Sequence, residues 1–281
     1  MINGLLNLIR YKNLLIIVLT QVLTYWVFVN QGGFQFEWSF WGVLVGTLLV
    51  ATAGNIINDF FDVEIDQVNK PGANPVGNVF PRTNIIVSYV VLNAVAMALA
   101  YLVGWQMLMV FVFMILLLVA YSAFFKGVLI LGNMIVAFSM SMVLIVIAVL
   151  HPEILGNIFL FYVLFAFLSG LVREVMKDVE DQEGDKSAGM VSFPLRFGLK
   201  ATKWFAGFLL LLLMSVVVLL GVYLLNKNEI AFMSIMLLLV VFMLLIFNIL
   251  WKSETKEDFS RLSSILKIYM LVGIISMIFA L

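Results

Sequence analysis

The chain has 281 residues, 64% of them hydrophobic and 11% charged, with 16 basic and 16 acidic side chains and no net charge. So apolar a composition excludes a soluble domain and points to an integral membrane protein, with no nucleic acid expected as a partner. With no cysteine and one histidine, thiolate nucleophiles, disulfides, Fe–S clusters and zinc sites of the Cys or multi-His kind are excluded, so any metal must be held by oxygen.

A segment crosses a bilayer with about 17 to 25 apolar residues. Runs of that kind fall near 14 to 30, 38 to 57, 84 to 103, 107 to 124, 129 to 149, 156 to 174, 203 to 225, 230 to 250 and 263 to 281. They predict an all-α, polytopic membrane helical bundle of about nine transmembrane helices. No Pro or Gly cluster marks a second domain, so residues 1–281 form one. Arg10 and Lys12 before the first run resemble the start of a signal peptide, but "VNQGGFQFEW" offers no small-residue cleavage site, and the run is expected to be a retained helix. His151, in the short outer loop "VLHPEIL", reads as a solvated loop residue, and Phe161 and Tyr162 on the sixth run read as packing.

Orientation follows from the basic residues, which accumulate on the cytoplasmic side. With a cytoplasmic N-terminus and nine spans, 15 of the 16 fall on that side and only Lys227 on the other. Adding or removing one span would throw later loops to the wrong face.

The acidic residues are as unevenly placed. Of 16, four lie in 59 to 66 and six in 174 to 185, after the second and sixth runs and both cytoplasmic. In "NDFFDVEIDQVNK", Asn58, Asp62 and Asp66 fall at i, i+4 and i+8, with Asp59 three before Asp62. A helix continuing past the membrane surface would carry them on one face. In "REVMKDVEDQEGDK", Asp178, Asp181 and Asp185 fall at i, i+3 and i+7, again one face. Each like-charge pair costs an isolated helix about 0.2 to 0.5 kcal/mol. One acidic run alone would read as a solvated helix end. Two with matching spacing on one side ask for a cation, and carboxylates that leave coordination positions open suit Mg²⁺ bridging to phosphate oxygens. Lys70, Arg82, Lys126, Arg173, Lys177 and Lys186 stand near enough in sequence to clamp a polyanion between metal and cations.

These residues carry a resemblance. "NDFFDVEIDQVNKP" and "REVMKDVEDQEGDKSAG" are similar to the two signature motifs of the UbiA superfamily of intramembrane prenyltransferases, N-D-x-x-D-x-x-x-D at Asn58, Asp59, Asp62 and Asp66 and D-x-x-D-x-x-x-D at Asp178, Asp181 and Asp185. "IRYKN" before the first helix and "YSAFFKGVLILGN", with Tyr121 and Lys126, match supporting segments, and the likeness runs from about Arg10 to Gly198. The family usually has an Arg or Lys shortly after the N-x-P that follows the first motif. Here residues 72 to 81 hold no basic residue, which leaves Lys70 or Arg82 for that role.

The resemblance implies a Mg²⁺-dependent enzyme that takes an isoprenyl diphosphate and a lipophilic acceptor. It would be a multi-pass protein of the cell inner membrane with its active site on the cytoplasmic side. The implied metal set is Asn58, Asp59, Asp62, Asp66, Asp178, Asp181 and Asp185. The implied catalytic set is Asp62, Asp66, Asp178, Asp181 and Lys126, with Asn58, Lys70, Arg82, Tyr121, Lys126, Arg173 and Lys177 on the diphosphate. The chemistry would draw charge off the leaving diphosphate until the allylic C–O bond breaks toward a carbocation that the acceptor traps.

Among family acceptors, the run 173 to 198 is most similar to the branch that alkylates the hydroxyl of geranylgeranylglyceryl phosphate. Lys186 and Arg196 would then meet the acceptor's phosphate, although positive-inside topology explains them equally well. The alternatives are an aromatic prenyltransferase of quinone biosynthesis, acting on 4-hydroxybenzoate or a dihydroxynaphthoate, and a divalent-cation transporter. Against the transporter, few ionisable residues fall inside the apolar runs. A purely structural role leaves the paired spacing unexplained.

Overall fold

A computed structural model describes residues 2–69, 71–225 and 230–281. Among the described residues, nine helices are long and apolar enough to span a membrane. A short α1 (Ile2–Leu8) precedes α2 (Tyr11–Thr24), which a wider π-type turn extends to Val29. The second and third spans are α3 (Trp38–Phe61), followed by the short α4 (Val63–Asn69), and α5 (Arg82–Val103). The fourth to sixth are α6 (Trp105–Ala120), prolonged by a π-type turn to Phe125, α7 (Leu131–Leu150) and α8 (Asn157–Glu180), followed by α9 (Gln182–Ser187). The last three are α10 (Phe193–Leu225), α11 (Ile230–Lys252) and α12 (Lys256–Ile275).

The spans match the nine apolar runs in number and order and differ at their ends. Span six runs six residues past its apolar run. The seventh helix starts at Phe193, with Gly198 at φ 77° breaking it near its start. The ninth starts at Lys256, seven residues before its apolar run. Thr255 caps it: its hydroxyl accepts from the Asp258 N–H at 3.2 Å, and Asp258 Oδ2 accepts from the Thr255 N–H at 3.0 Å. Hydropathy misses such ends because helices that leave the bilayer turn amphipathic before they stop.

α8 lies at the centre, packed on α7, α10 and α12. Apolar tails of lipid give helices no hydrophobic reason to associate, so close backbone approach matters. At Gly170 a Cβ would stand 2.7 Å from Met140 Sδ and 3.4 Å from Ala137 Cα, which brings α8 against α7. Large apolar side chains such as Leu15, Val90, Leu116 and Leu237 are exposed, as a lipid-facing surface requires. His151 departs from the solvated reading: its side chain is 14% exposed, its Nδ1 lies 2.9 Å from Glu153 Oε1, and its ring meets Tyr25 edge-on.

The two acidic segments do not continue as straight helices. Asp62 (φ −89°, ψ 1°) and Asp181 (φ −96°, ψ 9°), the middle aspartate of each motif, both sit at a bend between a long helix and a short one. Hydrogen bonding carries across: the Asp66 N–H donates to the Asp62 carbonyl at 2.8 Å and the Asp185 N–H to the Asp181 carbonyl at 3.1 Å. Each motif is therefore a bent helix of the same design, α3 with α4 and α8 with α9.

Candidate active site

The short helices α4 and α9 pack on one another, and the contact is set by two residues. The Gly184 N–H donates to Asn69 Oδ1 at 2.8 Å, and a Cβ on Gly184 would lie 2.3 Å from Asn69 Nδ2. The loop carrying Lys126 is tied to the second motif where the Val191 N–H donates to the Gly127 carbonyl at 3.0 Å. Lys256 Nζ reaches the Asn69 carbonyl at 3.5 Å. Loops after the second, fourth and sixth spans and before the ninth thus meet at one end of the bundle.

Beneath that end lies a cavity of about 770 Å³, within the range of small-molecule sites. Asn58, Asp59, Asp62, Asp66, Asp178, Asp181 and Asp185 all line it, as do Tyr121, Lys126, Arg173 and Lys177. Its depth is apolar, walled by residues that include Val50, Phe111, Met114, Met142, Val146 and Phe165. Tyr162, read from sequence as packing, also reaches this wall and bonds to Ser276 Oγ at 2.9 Å.

Four of the aspartates are held by specific partners. Asp59 pairs with Arg10 at 2.7 Å. Asp62, 4% exposed, takes Lys126 Nζ and, at 2.6 Å, Asn58 Nδ2 on the same oxygen. Asp66 accepts from Asn74 Nδ2 at 2.8 Å, and the same amide also donates to the Asp59 carbonyl at 2.8 Å, which locks the 71–81 loop onto the first motif. Asp178 accepts from Asn133 Nδ2 at 2.9 Å. Burial, with Asp181 alongside, pushes the Asp185 carboxyl up to about 6. Burial also raises Asp66, opposed by the bond from Asn74 and reinforced by the charge of Asp62. Ionised, these carboxylates carry unrelieved charge, which a bound cation would relieve.

Among the described residues, no three carboxylates are already gathered around one point that would take a metal ion. Lys126, Arg10 and the three asparagines Asn58, Asn74 and Asn133 occupy carboxylate oxygens that a metal would need. The donor set nonetheless fits Mg²⁺: it is all hard oxygen, drawn from two facing segments, with raised carboxyl pKa values on both.

Other sequence-based choices fall elsewhere. Arg82 is exposed, its guanidinium over the Phe60 ring at 5.9 Å and off the cavity wall. Lys186 and Arg196 are exposed and outside the cavity, with Arg196 5.9 Å from the Phe197 ring centroid. Adjacency to a motif along the chain does not fix which way a side chain projects. Lys70 lies outside the described residues.

The cavity wall also includes Arg10, Lys12, Asn74, Asn133, Glu174 and Lys267, which the sequence-based site left out. Lys267 carries a sequence signal of its own, a cation four residues inside the last apolar run.

Among the described residues, nine spans around a cavity with aspartates at its mouth and an apolar depth define a membrane protein built for amphiphiles. Residues 18–271 match the model of the UbiA prenyltransferase family. The chain is 33% identical over 218 residues to the digeranylgeranylglyceryl phosphate synthase of Natronomonas pharaonis, covering 76% of each chain. It superposes on a solved structure concerned with digeranylgeranylglyceryl phosphate synthase at a TM-score of 0.76 and 27% identity, covering 99% of this chain and 97% of that one. A UbiA homologue from Archaeoglobus fulgidus, solved bound to DMAPP and Mg²⁺, shares the fold at a TM-score of 0.66 and 15% identity, covering 98% and 99%. The chain belongs to the UbiA prenyltransferase family. It is a prenyltransferase, similar to the digeranylgeranylglyceryl phosphate synthases.

Proposed function

We propose that the enzyme transfers an isoprenyl group from an allylic prenyl diphosphate to the free hydroxyl of geranylgeranylglyceryl phosphate, with Mg²⁺, on the cytoplasmic face of the cell inner membrane. The observation that carries this reading is the lining of one cavity by both aspartate segments at its mouth and by apolar side chains in its depth. The synthases among its relatives support the acceptor, and the Archaeoglobus homologue with DMAPP and Mg²⁺ supports the donor and the metal. The basic bias of the loops supports the orientation.

Asp62, Asp66, Asp178, Asp181 and Asp185, with Asn58 and Asp59 alongside, would hold the metal. Mg²⁺ there supplies positive charge that stabilises the leaving diphosphate. The chain's own cations add to it. Lys126 and Arg10, facing Asp62 and Asp59, can turn to diphosphate oxygens as the aspartates are taken up, so each cation exchanges one anion for another. Tyr121, on the same wall, has a hydroxyl to donate there. The apolar depth takes the prenyl tail and keeps water from the allylic carbon. The acceptor oxygen forms its bond to that carbon as the C–O bond to diphosphate breaks. The hydroxyl proton leaves only once the new ether oxygen carries positive charge, and the expelled diphosphate is basic enough to take it.

The test uses purified protein, labelled geranylgeranyl diphosphate and a panel of acceptors, each with Mg²⁺ and with chelator. The expected product is the diether phosphate, formed with Mg²⁺ and absent with chelator. Efficient prenylation of 4-hydroxybenzoate or a dihydroxynaphthoate, with the lipid acceptor ignored, would move the enzyme to the quinone-type reaction.

A further inference from the structure

Arg173 and Lys177 stand one helical turn apart on α8 and share one buried carboxylate. Glu174, 7% exposed, takes Arg173 Nη1 at 2.6 Å on one oxygen and Lys177 Nζ at 3.4 Å on the other. Lys267 of α12 and Lys12 at the start of α2 line the same cavity, and the charged groups that act on Lys267 are Arg173, Lys177, Glu174 and Lys12. Among the described residues, Lys267 has no carboxylate within ion-pairing distance, and Arg173 Nε is buried with no hydrogen-bond partner.

Charge counting makes this cluster unusual. Arg173, Lys177, Lys267 and Lys12 line one cavity with Glu174 ion-paired to two of them, and Asp178, one turn further along α8, also faces Lys177, which leaves positive charge in excess at this part of the wall. Lys267 lies eleven residues into its helix and four residues, about 6 Å, past the start of that span's apolar run, and Arg173 lies about 7.5 Å before Asp178 along α8. Cations that far inside a membrane protein are costly unless they meet an anion. The prenyl diphosphate has partners elsewhere on the wall, in Lys126, Arg10 and the two aspartate segments. Glu174 does not neutralise the cluster. It fixes the Arg173 and Lys177 heads side by side and leaves the rest of the arginine's donors, Nε among them, for another partner.

We infer that Arg173, Lys177, Lys267 and Lys12, with Arg173 and Lys177 held by Glu174, form a separate, metal-independent seat for a phosphomonoester, the headgroup of the acceptor lipid. The inference rests on the glycerol-phosphate acceptor proposed above. A phosphomonoester carries about −1.5 to −2 charge at neutral pH with three acceptor oxygens, which suits a cluster of four cations that outnumber the carboxylates beside them. The acceptor hydroxyl sits on the carbon next to the one bearing phosphate, so a fixed phosphate limits where that hydroxyl can lie. This gives Arg173 and Lys177 to the acceptor and not to the prenyl diphosphate, and takes the place expected of Lys186 and Arg196.

The deciding measurement is binding without turnover. In the presence of chelator, geranylgeranylglyceryl phosphate should bind the wild-type protein, geranylgeranylglycerol lacking the phosphate should bind at least tenfold more weakly, and geranylgeranyl diphosphate should lose most of its affinity. Lys267→Gln and Arg173→Gln should each weaken the phosphorylated lipid about tenfold and leave the phosphate-free lipid unchanged, with Lys267→Arg restoring much of the loss. In turnover, the same variants should raise the KM for the acceptor and hold that for the diphosphate within twofold. The seat is overturned if chelator abolishes acceptor binding, if the phosphate-free lipid binds as tightly, or if the variants raise the diphosphate KM by the same factor. Metal-free binding of the phosphorylated lipid by a protein that never alkylates it would keep the seat and sink the acceptor reading alone.

Discussion

The Gly184 N–H and the Asn69 side chain, 115 positions apart in sequence, meet at 2.8 Å and join the two acidic segments. No other side chain than hydrogen fits at 184, because a Cβ would stand 2.3 Å from Asn69 Nδ2 and 2.5 Å from its Cγ. Gly184→Ala should therefore push α9 from α4 and lower kcat/KM at least tenfold. Asn69→Ala should also be harmful, since a buried amide left without an acceptor costs about 1 to 3 kcal/mol. The double variant removes the obstruction along with the bond, and its loss should be smaller than the two single losses combined. Strict additivity would show that the contact does not couple the segments.

Asp62 lies at the bend of the first motif with Lys126 and Asn58 on one of its oxygens. Asp62→Ala should reduce turnover below a tenth of wild type, because the position supplies both a metal ligand and the partner that holds Lys126. The fold should survive, since what is removed is charge at a cavity wall and not packing. The same holds for Asp181→Ala. Thermal unfolding in detergent should shift by only a few degrees, and a protein that retains full activity would remove these aspartates from the chemistry.

Asn133 shows a second layer of support. It is buried, comes from the first turn of α7, and donates to Asp178 Oδ2 at 2.9 Å. Groups that orient a metal ligand cost about 10- to 100-fold in metal affinity or activity when lost. Asn133→Leu should therefore raise the Mg²⁺ concentration needed for half-maximal rate by such a factor. Asn74→Ala should act the same way through Asp66, with an added loss of stability from the 71–81 loop, whose Val76 N–H it also holds at 3.0 Å. Unchanged Mg²⁺ dependence in both would make these amides structural only.

The aspartates were legible in the sequence because each motif is contiguous, so its spacing survives without knowledge of the fold. Their bends were not, since the hydrogen bonds run on through Asp62 and Asp181 and nothing in the residue pattern marks the turn. Asn74 and Asn133 become partners of Asp66 and Asp178 only when separate elements meet, and a lone Asn carries no periodic signal. Lys267 reached the site through α12, beyond the part of the chain that resembles the family motifs. Arg82, Lys186 and Arg196 went the other way: nearness in sequence suggested a role, and the helices point them outward.

That outward placement has its own test. Lys186 and Arg196 are exposed and apart from the cavity, and exposed charges contribute little to a site they do not touch. Lys186→Gln and Arg196→Gln should leave both KM values within twofold of wild type. A rise in the acceptor KM confined to these variants would return the acceptor phosphate to the 186–196 segment and take it from Lys267.

The contacts from Asn69 to Gly184 and from Gly127 to Val191 require the loops after the second, fourth and sixth spans to share one face, whichever side of the membrane that is. The basic bias assigns it to the cytoplasm. The absence of cysteine makes the assignment simple to check, since each introduced thiol is the only one present. Asn78 and Ala188 are both exposed, one in the loop after the first motif and one after the second. Asn78→Cys and Ala188→Cys should react with an impermeant reagent in inverted vesicles and remain protected in intact cells. Reaction of the two from opposite sides contradicts the fold, since their loops are joined by direct contact. Reaction of both from outside keeps the fold and reverses the orientation, which would also put the diphosphate and acceptor sites on the wrong side for substrates made in the cytoplasm.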